Sequence, residues 1–551
     1  MRYDIEGMFW DEVPPPKPPP KEKIKRTPPE PTWENEDYLP HLEEALAFDV
    51  RLFTDIELVN AQKAGEHLIL DIESYKNYWL IAFKSAVSGL VVYFEKEEDG
   101  VINNEAKLRW IMDNFTTISF NGIGYDLPML AIALAGYNTP TLKEASDLII
   151  QTDIRIYQLL KKYKVQAIAC DHIDIMQVAP LKGSLKVYAG RLHSRRMQDL
   201  PFKPELWLNE NQIAITRLYC VNDLDNTIDL FHALEEPLEL RKALTAEYEI
   251  DLRSKSDAQI SEAVISSEIQ KITKKRIPRA HIAPGTVYKY DVPYFIEYKS
   301  ELMNWALDIV RNTEFVVGEK GSVECPDEFN NIAIPMGHST YGLCIGGLHS
   351  REKSATHYAD NLTSLDDWDV TSYYPRIVLN QRLFPKHLGP TFLKVFRRIV
   401  ERRLAAKAAG DKSTADSLKI VINSAFGKLG SRFSIFYAPD LLIQVTLTGQ
   451  LSLLMLVERF ELAGLPVVSG NTDGVVVKCP IEREAEMEAI IKQWESDTQF
   501  NMERTPYKAI HSRDVNNYIA VKLSGGYKTK GTYARAGLSK NPTNEICIDA
   551  L

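Results

Sequence analysis

Cysteine is scarce in this chain of 551 residues: six in all, Cys170, Cys220, Cys325, Cys344, Cys479 and Cys547, with no CxxC pair among them. Such spacing gives no sign of a disulfide framework or a zinc site and fits a reducing compartment. Basic charge is not in excess. The formal net charge is −10, so bulk composition does not advertise nucleic-acid binding, and a local field in a cleft would have to supply it. The amino terminus, "MRYDIEGMFWDEV", has no apolar h-region, which argues against a signal peptide, and no apolar run reads as long enough to span a bilayer. A cytoplasmic protein is expected. No internal repeat is visible. What is present is an ordinary globular composition, 45% hydrophobic and 25% charged, in a chain too long for one core.

The segment 1–45 contains "VPPPKPPPKEKIKRTPPEPTWENEDYLP", which cannot form helix or interior strand and reads as an extended tether. Ordered structure is expected from about "HLEEALAFDV". "EHLILDIES" reads as a buried strand, with "YWLIAFK" and "SGLVVYFEK" as hairpin neighbours. From Leu234 to about Pro335 the chain is charged and mostly helical. "DDWDVTSYYP" reads as a strand. "FLKVFRRIVERRLAAKAAG" and "TADSLKIVINSAFGKLG" read as two helices, and "LTGQLSLLMLVERFELAG" as a third. Two hairpins are expected, at "PVVSGNTDGVVVKC" and "NNYIAVKLSGGYKTKGTYA".

Several acids stand at suggestive spacings. Asp71 and Glu73, two apart on a strand, share one face, where they repel unless a cation is shared. "ISFNGIGYDLPML" adds Asn121 and Asp126 at a loop-to-helix transition, where an Asx turn and an N-cap would serve equally. In "LYCVNDLDNTIDLF", Tyr219 and Asp223 are at i, i+4 and share a helix face. In "SGNTDG", Asp473 is by local chemistry a turn former.

Together the first three segments resemble, in order, the three motifs of proofreading 3′→5′ exonucleases: DxE, Nx(2–3)(F/Y)D and Yx(3)D. The resemblance implies that Asp71, Glu73, Asp126 and Asp223 hold two divalent ions and that Tyr219 places the attacking water. It gives Asn121, with Ser184 and Leu185 of "GSLKVYAGRL", to the single-stranded primer end. "DWDVTSYYP" is similar to motif A of family B DNA polymerases, with Asp369 and Tyr374. "LKIVINSAFGKLG" is similar to motif B, with Lys419, Asn423 and Phe426 in place of the usual tyrosine. "SGNTDG" falls where motif C, YxDTD, belongs. The resemblance then implies a palm with two Mg2+ or Mn2+ ions on Asp369 and Asp473. Lys419, Asn423 and Arg402 (Arg398 as the alternative) would bind the triphosphate, and Tyr374 would exclude a 2′-OH. Gly346 and Gly347 of "CIGGLHS" would lie against the template, and Tyr518, Lys528 and Lys530 against the primer.

The expectation is thus an α/β (mixed α+β) chain, a family B DNA polymerase of phage or mobile-element type acting in the cytoplasm of an infected or host bacterial cell. The expected layout is a ribonuclease-H-like exonuclease domain over 46–235, a largely helical connecting region over 236–340, a palm over 341–390 and 431–551, and two-helix fingers over 391–430. The thumb reads as absent or minimal. Expected partners are primer-template DNA, dNTPs, and a processivity factor or a separate thumb-supplying chain, with no membrane. Two departures stand out. Asn471 occupies a position where motif C has aspartate, which implies a less negative site and weaker metal affinity. Asn516 replaces a lysine expected to contact the primer, for which Lys528 and Lys530 could compensate. A nuclease with a degenerate polymerase half and a non-catalytic replication scaffold are the competing readings.

Overall fold

The computed structural model describes residues 51–97, 100–181, 183–543 and 545–550. The proline-rich tether expected over 1–45 lies outside the described residues. The protein is of mixed α/β class. It divides into two compact units, an N-terminal one of residues 51–256 with 536–543 and a C-terminal one of residues 257–535 with 545–550.

The N-terminal unit opens with α1 (Asp55–Lys63), entered through a capping box of Thr54 and Glu57. Then come β1 (Leu68–Ser74), β2 (Tyr78–Ser85), β3 (Val91–Glu97), α2 (Glu105–Asn114), β4 (Thr117–Ser119), α3 (Asp126–Leu134), α4 (Thr139–Gln151), α5 (Ile156–Lys162), β5 (His172–Asp174), α6 (Leu185–Leu192), α7 (Glu210–Ala233) and α8 (Glu235–Tyr248). The sheet order is β3-β2-β1-β4-β5. β1, β2 and β3 run antiparallel, and β4 and β5 run parallel to β1. The strand β1 is central, so both its faces are covered and its alternation sorts residues between two cores. Leu68, Leu70 and Ile72 join Trp79, Ile81 and Phe83 in one core with residues of α2–α5. Ile69 joins Leu80, Ala82 and residues of α7 in the other. Asp71 and Glu73 have the parity of Ile69, which turns them towards the α7 side.

The C-terminal unit begins with α9 (Asp257–Thr273), followed by β6 (Val287–Tyr288), α10 (Glu301–Asn312), β7 (Phe315–Val317) and β8 (Val323–Glu324). The segment expected to be largely helical therefore also carries a small three-stranded sheet, β6-β7-β8. The main sheet is built from β9 (Ile334–Met336), β10 (Ser339–Gly342), β11 (Leu348–Ser350), β12 (Ala355–Tyr358), β13 (Thr363–Val370), β14 (Val467–Thr472), β15 (Gly474–Pro480), β16 (Met502–Asp514), β17 (Asn517–Lys522) and β18 (Tyr527–Lys530). Its order is β18-β17-β16-β13-β15-β14-β11-β10-β9, with β12 also on β16. Helices α11 (Tyr373–Asn380), α12 (Thr391–Ala409), α13 (Lys412–Gly427), α14 (Pro439–Leu462) and α15 (Glu484–Thr498) complete it.

Three features differ from the sequence reading. The strand expected over "DDWDVTSYYP" ends at Val370, because Ser372 takes a left-handed conformation (φ 52°) and "YYP" enters α11. The helix α14 is, against expectation, long and apolar enough to cross a membrane, with a mean hydropathy of 1.6 over its most apolar window. Buried residues occur on every side of it, 78% of that window being enclosed, so here an all-round apolar helix is a core helix. Finally, the segment 536–543, read as palm, belongs to the N-terminal unit, where Arg191 donates to the Leu538 carbonyl (2.6 Å) and to Asn541 Oδ1 (3.0 Å).

Candidate active sites

In the N-terminal unit, β1 and α7 bring Asp71, Glu73 and Asp223 together, with one carboxylate oxygen of each within 4.8 Å of the others. Asp126, the first residue of α3, is buried and raises the Asp71 pKa electrostatically. Burial first, and mutual repulsion second, push Asp71 and Glu73 well above the ordinary carboxylate range. Asp126 rises to about 8, from burial and from Asp174. Burial raises Asp223 too, opposed by Lys186 and by the Tyr219 hydroxyl. Asp126 Oδ1 and Asp223 Oδ1 are buried without a hydrogen-bond partner. Buried carboxylate oxygens without donors are costly unless a cation or proton serves them, so this donor set fits a hard divalent ion.

Around these acids the loop geometry is tightly specified. Asn121 is left-handed (φ 70°), and its backbone N–H donates to Asp174 Oδ1 at 2.9 Å. At Gly122 a Cβ would stand 1.8 Å from Ser119 Oγ, so only glycine fits. The Ser184 hydroxyl caps α6 by accepting from the Val187 N–H (3.4 Å), and Leu185 packs against the core. Two contributors were missed by sequence reading. Asp174, at the end of β5, organises the Asn121 loop through Asn121 and Ile123 N–H groups. Lys186 sits over the Tyr219 ring (5.3 Å) and lowers the pKa values of Glu73 and Asp223. Asp174 belongs to no short motif, and Lys186 follows Ser184 and Leu185 in "GSLKVYAGRL", where the resemblance gives it no role. Both reach the site through tertiary packing.

In the C-terminal unit, a cavity of about 350 Å³ is lined by Asp367, Asp369, Asn471, Asp473, Tyr507, Tyr518, Lys528 and Lys530, among others. Here the "SGNTDG" turn finds its role. Asn471 pairs with Gly474, leaving Thr472 and Asp473 as a two-residue loop. Thr472 is a β-branched residue at φ 56°, a conformation that costs of order 1–3 kcal/mol. Gly474 faces Asp369 across β13–β15, and a Cβ there would come 2.2 Å from Asp369 Oδ1. Glycine at 474 is thus needed for the carboxylate opposite and for the close Trp368 carbonyl (2.9 Å). The Val370 N–H donates to the Asp473 carbonyl (2.7 Å), tying the two acid-bearing segments together. Burial and Asp367 raise Asp369 to about 6, against Lys528. Burial likewise raises Asp473.

The lysines of β18 face these acids. Lys528 Nζ lies 3.2 Å from Asp367 and 3.7 Å from Asp369. Burial works against its charge, but the two carboxylates outweigh it and raise its pKa. The Tyr507 hydroxyl donates to Asp367 from the adjacent β16. Asp367 was missed by sequence reading, although its parity with Asp369 placed it on the same face.

Tyr374, in the first turn of α11, stacks on Phe426 of α13 with ring centroids 4.3 Å apart and planes at 7°. Gly347 approaches the turn so closely that a Cβ would meet Thr472 at 2.7 Å. Gln450 of α14 pins the Cys344–Gly347 loop by donating to the Cys344 and Gly346 carbonyls (2.6 and 2.9 Å). Arg402, Lys419 and Asn423 lie on exposed helix faces and do not line the cavity. Arg398 pairs with Glu268 of α9. Arg403 instead reaches the turn between β13 and α11, donating to Ser372 Oγ at 3.0 Å. A signal for it existed: Arg403 continues the buried stripe Phe396, Ile399, Val400 at helical spacing.

No family model and no curated protein matches the chain. Among solved structures it is similar to the family B DNA polymerase from the hyperthermophilic archaeon Pyrobaculum calidifontis, with a TM-score of 0.43 and 15% sequence identity, over 85% of this chain and 60% of that one.

Proposed function

We propose that the chain is a DNA-templated DNA polymerase of phage or mobile-element type that extends a primer 3′-OH with dNTPs and carries a proofreading 3′→5′ exonuclease. The observation that carries this reading is a convergence. Acids scattered from Asp71 to Asp473 gather into two sites, one per unit, in the order and spacing of five of the six motifs. The five-stranded sheet, with three antiparallel strands and two parallel additions, has the order of a ribonuclease-H-like sheet, which supports the exonuclease half. On this reading the ten-stranded sheet is the palm, and α12 and α13 are the fingers.

Divalent ions, Mg2+ or Mn2+, held by Asp71, Glu73, Asp126 and Asp223 in one unit and by Asp369 and Asp473 in the other, would supply charge neutralisation and an activated oxygen nucleophile. The protein's own groups do the positioning. Tyr374, fixed by its stack on Phe426, supports the sugar of the incoming nucleotide and crowds a 2′-OH. Arg402, Lys419 and Asn423 offer donors to the triphosphate from the exposed faces of α12 and α13. Gly346 and Gly347 let the template backbone approach. Tyr518, Lys528 and Lys530 face the primer. In the other unit Tyr219 orients the attacking water, while Asn121 and Ser184 receive the single-stranded end.

A labelled primer-template with Mg2+, with and without dNTPs, tests the reading. The wild type should lengthen the primer with dNTPs and shorten it without them. Asp473→Asn should abolish lengthening alone, and Asp71→Ala with Glu73→Ala shortening alone. Shortening without any lengthening would leave only a nuclease, and neither activity would leave a scaffold.

A further inference from the structure

The amide at position 471 invites explanation, because a carboxylate there would add charge to an acid-rich cavity. Its side-chain hydrogen bonds go to a backbone carbonyl, a hydroxyl and an ammonium. Asn471 Nδ2 donates to the Val515 carbonyl in the β16–β17 turn (3.3 Å). That bond fixes the orientation of the amide, so Oδ1 faces two donors: Thr472 Oγ1 at 3.1 Å and Lys530 Nζ at 3.2 Å. Lys530 and Lys528 are two apart on β18 and share a face, yet their surroundings differ. Lys528 is held by two carboxylates. Lys530 has no such ion pair: its hydrogen bond goes to the neutral Asn471, with His349 opposite Asn471 in β11, and Asp473 acts on it only through the electrostatic field. Burial and the Lys530 charge lower the His349 pKa.

We propose that Asn471 is a positioning residue for the primer strand: it anchors the Lys530 ammonium at the cavity without neutralising it, which leaves that charge for a backbone phosphate of bound DNA. This rests on reading the cavity as the polymerase site and gives position 471 a role on the DNA side instead of the metal side. The chemistry is a matter of charge. An aspartate at 471 would sit within ion-pair distance of Lys530 and compete with the phosphate. An asparagine accepts the same hydrogen bond at no electrostatic expense to DNA binding. Burial and the like charge of Lys528 work against the Lys530 charge, and Asp473 supports it.

The test measures primer-template affinity by fluorescence anisotropy across a salt series, together with the Mg2+ midpoint of extension, for wild type, Asn471→Asp, Lys530→Ala and the double variant. Asn471→Asp and Lys530→Ala should each weaken DNA binding by about 3- to 10-fold and flatten the salt dependence by about one phosphate contact. Asn471→Asp should add little to Lys530→Ala, and the Mg2+ midpoint should stay at its wild-type value. Equal DNA affinities across the set, or a shifted Mg2+ midpoint with unchanged DNA affinity, would overturn the proposal. Lys530→Ala, at the end of the edge strand, keeps the test open should Asn471→Asp fold poorly. Binding is read without catalysis, so a wild type that binds DNA but never extends a primer would count against the polymerase reading alone.

Discussion

At the scale of single residues, position decides what an ordinary side chain does. Phe426 stands where the resemblance led to a tyrosine, and the ring stack explains why the hydroxyl is dispensable. Its plane lies nearly parallel to Tyr374 at 4.3 Å, an arrangement that needs only the aromatic face and is worth about 0.5–1.5 kcal/mol beyond burial. Phe426→Tyr should therefore extend primers much like the wild type. Phe426→Ala should loosen Tyr374 and raise the KM for dNTPs by about 3- to 10-fold, in line with that energy, with digestion of a 3′ single strand unchanged. Steady-state kinetics with a single-nucleotide gap reads both, and an unaltered KM in Phe426→Ala would remove the stack from nucleotide binding. The acids that converge were legible in the sequence because strand and helix periodicities state which neighbours share a face. Asp174 and Lys186 were not, since each reaches its site from an element whose place depends on packing.

Strand β13 shows what alternation does at the scale of an element. Asp367 and Asp369 point into the cavity, and Asp366 points the other way. There it is fully buried and takes a two-pronged bond from Arg504, Nε to Oδ1 at 2.8 Å and Nη2 to Oδ2 at 3.0 Å. Arg504 in turn reaches Glu484 and Glu488 of α15, so three acids surround one guanidinium. Removing one partner of such a buried pair leaves the other poorly compensated. Asp366→Ala should lower stability by about 2–3 kcal/mol, less than for a wholly buried pair because Arg504 keeps some solvent and two other carboxylates. Denaturant unfolding would measure it, with DNA affinity of the folded fraction as the control. A variant as stable as wild type would mean that Glu484 and Glu488 suffice. The doublet Asp366-Asp367 reads as one acidic patch in sequence, and only the pleat separates a structural acid from a cavity acid. The same limit explains α11: "SYYP" looks extended until the left-handed Ser372 turns the chain into a helix, and nothing local in the sequence demands that conformation.

At the scale of the molecule, a net charge of −10 hides two concentrations of buried carboxylate whose protonation couples to stability. Burial raises Asp71, Glu73 and Asp223, brings Asp126 to about 8 and, with Asp367, brings Asp369 to about 6. At these carboxylates the folded chain without divalent ions thus binds more protons than the unfolded chain between the ordinary carboxylate range and about pH 8. Stability is then fully present below the unfolded pKa values and is lost as pH rises through the folded ones. Buried histidines, His172 above all, act with the opposite sign below about pH 6.5, so in a chelator Tm should fall between about pH 6.5 and about pH 8. Added Mg2+ binds the ionised carboxylates and stabilises by mass action, so it should lift Tm most at the upper end and flatten the slope. Asp71→Asn with Glu73→Gln keeps the shapes and removes two of the buried charges, so this variant should show a shallower fall in chelator and a smaller response to Mg2+. Adding Asp369→Asn and Asp473→Asn should reduce both responses further and leave the share that belongs to Asp126 and Asp223. Scanning calorimetry at the two pH values reads all of this, and a chelated wild type with the same Tm at both would show that these carboxylates stay ionised in the fold.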